Sequence, residues 1–167
     1  IGEGGKMVAI RADMDALPIF ELNETDYVSQ NKGAMHACGH DSHTAMALGA
    51  ALLISKEKLP GRVRFLFQPC EETIDEEGKS GAQRMSEEGA MQGVDYVIAQ
   101  HVDPQKPVGT IAINAGPSSG GVDSWHAVIK GKGGHGAHPD KTVDPFYLMA
   151  HVIIALNAII SRRINPF

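Results

Sequence analysis

Residues 35–44, M-H-A-C-G-H-D-S-H-T, bring three imidazoles, a thiol and a carboxylate into ten positions. Thiolate and imidazole are the usual protein ligands of zinc and its neighbours in the transition series. His36, Cys38 and His40 are spaced i, i+2, i+4, which in an extended segment turns all three to one side. Each alone has an ordinary explanation, since a single His is usually a surface or packed residue and a single Cys a small core hydrophobe. Together, just before a helix-like pattern, they point to a metal. The other chemistry open to the segment is a nucleophilic Cys38 activated by a neighbouring His.

Glu71 and Glu72 directly follow an apolar run, R-V-R-F-L-F-Q. In α/β folds ligands bind beyond the carboxyl ends of the strands. Adjacent residues point in different directions, so one carboxylate can hold a metal while the other faces the substrate and moves a proton. That division suits metal-assisted hydrolysis. The plainer alternative is a solvated acidic loop shared with Asp75, Glu76 and Glu77. His101 ends a further apolar run, and Asp13 and Asp15 end the first, so three strands deliver ligand-type residues at one sheet edge. His135 and His138 sit in a Gly-rich loop, which can offer donors to a substrate oxyanion or simply form a tight turn with surface imidazoles. His126 and His151 fall within regular patterns and read as structural or exposed.

The elements that position these groups follow from apolar periodicity. Strands are expected at 6–13, 62–68, 94–101 and 108–114. A helix is expected to start at Asp41-Ser42, whose side chains can cap free N–H groups, and to run to about residue 58, before Pro60-Gly61. Weak helical patterning covers 81–88. The alternation argues for an α/β fold, a mostly parallel sheet flanked by helices. Composition changes at 115–121, A-G-P-S-S-G-G, the expected hinge. Beyond it come a strand at 122–130, a Gly-rich loop at 131–136 and a helix at 144–162 with an apolar face of Phe146, Met149, Ala150, Ile153, Ile154, Asn157 and Ile160. The expected division is 1–116 and 117–167.

Bulk properties narrow the class. The 167 residues are 43% hydrophobic and 21% charged, with formal net charge −5, which is ordinary for a globular protein. There is no run of Lys or Arg, so nucleic-acid and anionic-membrane partners have no electrostatic support. No apolar run approaches the roughly 20 residues of a membrane span. Two cysteines, Cys38 and Cys70, make no disulfide framework, and the expected compartment is reducing and cytoplasmic. The opening I-G-E-G-G is neither a signal sequence nor an initiator segment, and both ends read as cut from a longer chain.

At R-A-D-M-D-A-L-P (11–18), M-H-A-C-G-H-D-S-H-T (35–44), F-Q-P-C-E-E (67–72), Q-H-V (100–102) and G-K-G-G-H-G-A-H-P (131–139), the chain resembles the co-catalytic metallopeptidases and metallo-amidohydrolases, a group that includes aminoacylases, hippurate hydrolase and plant auxin–amino acid conjugate hydrolases. The resemblance implies a catalytic α/β domain carrying an inserted α+β lid that forms a homodimer interface. It implies two divalent ions, with Cys38 bridging them and His40, Glu72 and His101 as further ligands. Thiolate and imidazole suit zinc, and added carboxylate permits manganese, cobalt or nickel. Glu71 resembles the general base that activates water, Asp15 the aspartate that orients a ligand, and His135 the lid histidine that stabilises the tetrahedral intermediate. Asp13 stands where more distant relatives have a metal-binding His. The implied activity is hydrolysis of the amide bond of N-acyl amino acids or similar peptide-like conjugates. The alternative is a non-catalytic metal-binding dimerisation module, because the family's further His ligand belongs to a later segment that these residues do not contain. Two departures stand out: Cys70 where the family commonly has Ala, and Pro139-Asp140 where Pro-His is commoner.

Overall fold

The computed structural model describes residues 1–120 and 124–162, with side chains described to 159. The chain divides into two units, Ile1–Pro107 and Val108–Phe167.

In the first unit, the apolar runs form β1 (Met7–Asp13), β2 (Arg62–Gln68) and β3 (Tyr96–Ala99). They make one sheet in the order β2-β1-β3. Both pairings are parallel, with Met7 opposite Arg62 through Asp13 opposite Gln68, and Val8 opposite Tyr96 through Arg11 opposite Ala99. The expected parallel α/β architecture is borne out. Met7, Ala9 and Ala12 of the central strand are buried. Ala9 and Ala12, three apart on the strand, face opposite sides of the sheet, and helix α1 (His40–Ile54) packs against it with its own Ala47 buried. Helix α2 (Gly81–Glu87) is capped by Ser80, whose side chain accepts from Gln83 N. A Cβ at Gly81 would lie 1.7 Å from the Pro69 carbonyl oxygen, so only glycine fits against the turn that leaves β2. At the opposite end of the sheet, Asp95 ties the entry to β3 to the start of β1: Lys6 Nζ donates at 2.6 Å and Met7 N at 2.8 Å.

Several expectations change. Helix α1 begins at His40 and ends at Ile54. Its N-cap is Gly39 in the left-handed region (φ 87°), with no side-chain cap. A Cβ there would also meet Val102 Cγ2 at 2.5 Å, so the position needs glycine for both conformation and space. His36, Cys38 and His40 therefore do not share an extended segment. Residues 108–114 form no strand. Val108, Ile111 and Ile113 are exposed, and among the described residues no strand pairs with them. Of the strand expected at 122–130, residues 124–130 are irregular, and 122–123 lie outside the described residues.

In the second unit, Lys132 and Val143 exchange two backbone hydrogen bonds of 3.0 Å in an antiparallel bridge. This bridge closes the Gly-rich loop, which carries a 3-10 turn at Pro139–Lys141. Helix α3 (Pro145–Arg162) follows, close to expectation, and Asp144 Oδ1 accepts from Phe146 N at 2.9 Å at its first turn. Phe146, Tyr147, Ile153 and Ile154 are exposed on it, and the side chain of Ile160 lies outside the described residues. Among the described residues, no helix is long and apolar enough to cross a membrane.

Candidate metal centre

The carboxyl ends of all three strands, or the turns just beyond them, deliver polar side chains to one place, joined there by the first turn of α1. Asp13 ends β1 and Asp15 follows it. Glu71 and Glu72 lie beyond β2, and His101 lies beyond β3. Parallel pairing makes this convergence unavoidable, since every strand points the same way.

His40, only 1% exposed, is at the centre. Its Nδ1 lies 3.1 Å from both the Asp15 carbonyl oxygen and Asp15 Oδ1. Both neighbours are acceptors, so Nδ1 carries the proton, and in the neutral ring Nε2 presents a lone pair. That Nε2 is buried with no hydrogen-bond partner. It faces Asp13 Oδ2 and Glu72 Oε1 at 3.7 Å and Glu71 Oε2 at 3.9 Å. Glu72 Oε1 is likewise buried and unpartnered. Lone pairs facing lone pairs in a buried place are costly unless a cation lies among them. The donor set thus fits a metal ion.

On the other side, Cys38 Sγ lies 3.4 Å from His101 Nε2. His101 Nδ1 donates to the Val102 carbonyl at 2.7 Å, which leaves its Nε2 as the acceptor facing Cys38 Sγ. Cys38, His40 and His101 form one group able to hold an ion, and His40, Glu71 and Glu72 another, so His40 is common to both. Burial, with Glu72, Glu71 and Asp13 adding negative charge nearby, pushes the Cys38 thiol up to about 11. An unaided thiolate is thus disfavoured here, and a cation is what this setting would reward. Both cysteines are free thiols.

Asp15 does two jobs at once. Besides His40, it accepts from the backbone N–H of Glu71 at 2.8 Å and of Glu72 at 3.0 Å through Oδ2. Burial alone would raise its pKa. The hydrogen bonds from Glu72, its own backbone, Glu71 and His40 outweigh burial and hold the carboxyl below the usual range. Glu71 is 41% exposed and Glu72 21%, so the first opens toward solvent and the second turns inward.

Asp13, His40 and His43 form a third cluster, but the lone pairs that Asp13 and His43 bring to it are already engaged. Asp13 Oδ2 accepts from Arg11 Nη1 at 2.6 Å, and its Oδ1 accepts from His43 Nδ1. Burial is again outweighed, here by His43 and Arg11, and Asp13 is held below the usual carboxylate range. His43 Nε2 in turn accepts from Val102 N at 2.9 Å. His43, fully buried and without an assigned role in the sequence reading, is therefore part of the scaffold. Its i, i+3 relation to His40 was the available signal, since the two share a face of the first helical turn. His36 is exposed and belongs to none of these groups. His135, in the second unit, accepts from Ala137 N at 3.1 Å through Nδ1, so its neutral ring presents Nε2–H as a donor. His138 pairs with it at a ring-centroid distance of 5.8 Å.

The chain is 45% identical over 164 residues to thermostable carboxypeptidase 2 of Saccharolobus solfataricus, covering 97% of this chain and 41% of that one. It is 46% identical over 164 residues to an N-acyl-L-amino acid amidohydrolase of Geobacillus stearothermophilus, covering 97% and 43%. A Bacillus subtilis crystal structure, described as a dinuclear metal-binding peptidase from the M20 family, superposes with a TM-score of 0.63 at 46% identity, covering 69% of this chain and 32% of that one. The chain thus spans less than half the length of these relatives. Residues 9–163 match the sequence model of peptidase family M20/M25/M40, and the chain belongs to that family.

Proposed function

We propose that the protein is a metal-dependent hydrolase that cleaves the amide bond of N-acyl amino acids or similar small peptide-like conjugates with two divalent ions. The observation that carries this reading is the buried, unpartnered His40 Nε2 facing the equally unpartnered Glu72 Oε1. Cys38, His40, Glu72 and His101 would hold the metals. Zinc, manganese, cobalt and nickel all suit such a mixed set. When bound, the ions polarise the amide carbonyl and make water more acidic.

The remaining steps fall to this chain's own residues. Glu71, the more open carboxylate, takes a proton from the attacking water and delivers it to the leaving amine nitrogen. Asp15 keeps the His40 lone pair directed inward and holds the backbone of the Glu71–Glu72 turn. His135, with Nε2–H as a donor, stabilises the oxyanion of the tetrahedral intermediate. Residues 1–116 form the metal-binding catalytic part, and 117–167 the lid, which pairs two copies through the exposed apolar residues of α3. The substrate class is supported by the relatives' names, a carboxypeptidase and an N-acyl-L-amino acid amidohydrolase.

A second reading is a metal-binding dimerisation module without turnover, favoured by the exposed apolar face of α3. One experiment separates the two. The protein is stripped with a chelator, reloaded with zinc, manganese, cobalt or nickel in turn, and assayed on a panel of N-acyl amino acids. Amine release that vanishes on stripping and returns on reloading is expected. Bound metal without turnover supports the second reading, and activity indifferent to chelation sinks both.

A further inference from the structure

His101 sits beyond the end of β3 on an exposed, irregular segment, yet the metal centre needs its ring in one orientation. A continuous hydrogen-bonded path supplies that orientation. The buried Asp13 carboxylate accepts from His43 Nδ1. His43 Nε2 accepts from Val102 N at 2.9 Å. The Val102 carbonyl accepts from His101 Nδ1 at 2.7 Å, and His101 Nε2 is left facing Cys38 Sγ at 3.4 Å. The rings of His43 and His101 also meet edge to face, with centroids 4.6 Å apart at 73°. On the other side of Val102, its Cγ2 lies against the glycine at position 39, where no side chain fits.

We propose that Asp13 and His43 are a positioning pair that fixes the His101 ligand through the backbone of Val102. The pair works by tautomer selection. An imidazole offers one donor and one acceptor when neutral. Asp13 is an acceptor, further committed by Arg11 at 2.6 Å, and so requires the proton on Nδ1. Only that tautomer leaves Nε2 free to accept the Val102 N–H. An imidazolium, or the Nε2–H tautomer, would set two donors against each other and release the segment that carries His101. His43 is thus neither a ligand nor a proton carrier. It is the link by which β1, at the centre of the sheet, holds a ligand that the third strand presents loosely.

The inference rests on the metal-centre reading above, and its test separates the two. Metal-free protein is titrated with cobalt(II), and the thiolate-to-cobalt absorption is followed. Wild type that shows no such absorption overturns the metal centre itself. Two substitutions then address His43. Gln has its carbonyl oxygen as many bonds from Cβ as Nε2 is, so His43→Gln still accepts from Val102 N, and an amide needs no tautomer to be chosen. His43→Asn can donate to Asp13 but is too short to reach Val102. The expected result is a cobalt affinity roughly 10- to 100-fold weaker in His43→Asn, the usual effect of losing an outer partner of a ligand, with His43→Gln near wild type. Equal affinities in the two variants, whether both retained or both lost, would overturn the positioning role, since simple packing does not distinguish them in this way. Nitrogen NMR of the wild-type ring needs no variant to fold: a neutral Nδ1–H tautomer is expected for His43, and an Nε2–H or doubly protonated ring contradicts the proposal.

Discussion

Asp15 sets the direction of His40. Its Oδ1 accepts from His40 Nδ1 at 3.1 Å, and the backbone oxygen of the same residue lies equally close, so the imidazole has no choice but to present Nε2 to the site. The other oxygen, Oδ2, gathers the backbone N–H groups of Glu71 and Glu72. One carboxylate therefore aligns the His40 ring from α1 with two carboxylates from the turn beyond β2, joining elements that are far apart in sequence.

Asp15→Ala should damage both arms together. Metal affinity is expected to fall roughly 10- to 100-fold, as for other outer partners of a metal-binding histidine. The part-buried Glu72 N–H also loses its acceptor, which costs about 1–3 kcal/mol of folding stability. Isothermal titration with zinc and a urea melt measure the two effects. Unchanged affinity in a folded variant would separate Asp15 from the metal centre.

Glu72→Gln tests the inward carboxylate. The substitution keeps the shape and removes the charge, and Glu72 Oε1 has no protein partner to miss it. Metal content after dialysis should drop, and the loss should be at least the roughly 10- to 100-fold expected of an outer partner. Stability of the metal-free protein should hold or rise, because a buried acceptor crowded by others is relieved of charge. Full metal content in Glu72→Gln would remove Glu72 from the ligand set.

At the far end of the sheet, Asp95 controls an acid transition. The hydrogen bond from Lys6, with that from Met7 N, holds its carboxyl below the usual range. A carboxyl lowered on folding contributes stability above its unfolded value, near pH 3.9, and loses it as pH falls through the folded value. The thermal midpoints of wild type and Asp95→Asn should therefore differ at pH 6 and converge as the pH drops below about 4. A gap that stays constant to pH 3 would show that charge at Asp95 is irrelevant. Lys6 is 73% exposed, so added salt should shrink the gap.

Much of this arrangement was legible before any coordinates. The runs M-V-A-I-R-A-D and R-V-R-F-L-F-Q are apolar enough to be read as buried strands, and they are β1 and β2. Once those strands are parallel, the polar residues after them must meet, which is why Asp15, Glu71, Glu72 and His101 could be grouped from the sequence. What escaped was set by tertiary partners. The alternating run at 108–114 looks like a strand, yet periodicity cannot say whether another strand lies beside it. Helix α1 begins at His40 with Gly39, not an Asp or Ser, as its N-cap, and that position must be glycine because Val102, 63 positions later, packs where a Cβ would be. The Asp13–His43 pair spans 30 residues and turns on which ring nitrogen holds a proton, and spacing carries no trace of that.

The central claim is that Glu71 moves the proton while its neighbour holds the metal, and Glu71→Gln tests it most directly. Turnover of an N-acyl amino acid and metal content are measured on the same sample. The expected result is metal at the wild-type level with kcat reduced about 10²- to 10⁴-fold, the usual share of a general base. Turnover that survives the substitution, with the metal still in place, would contradict it.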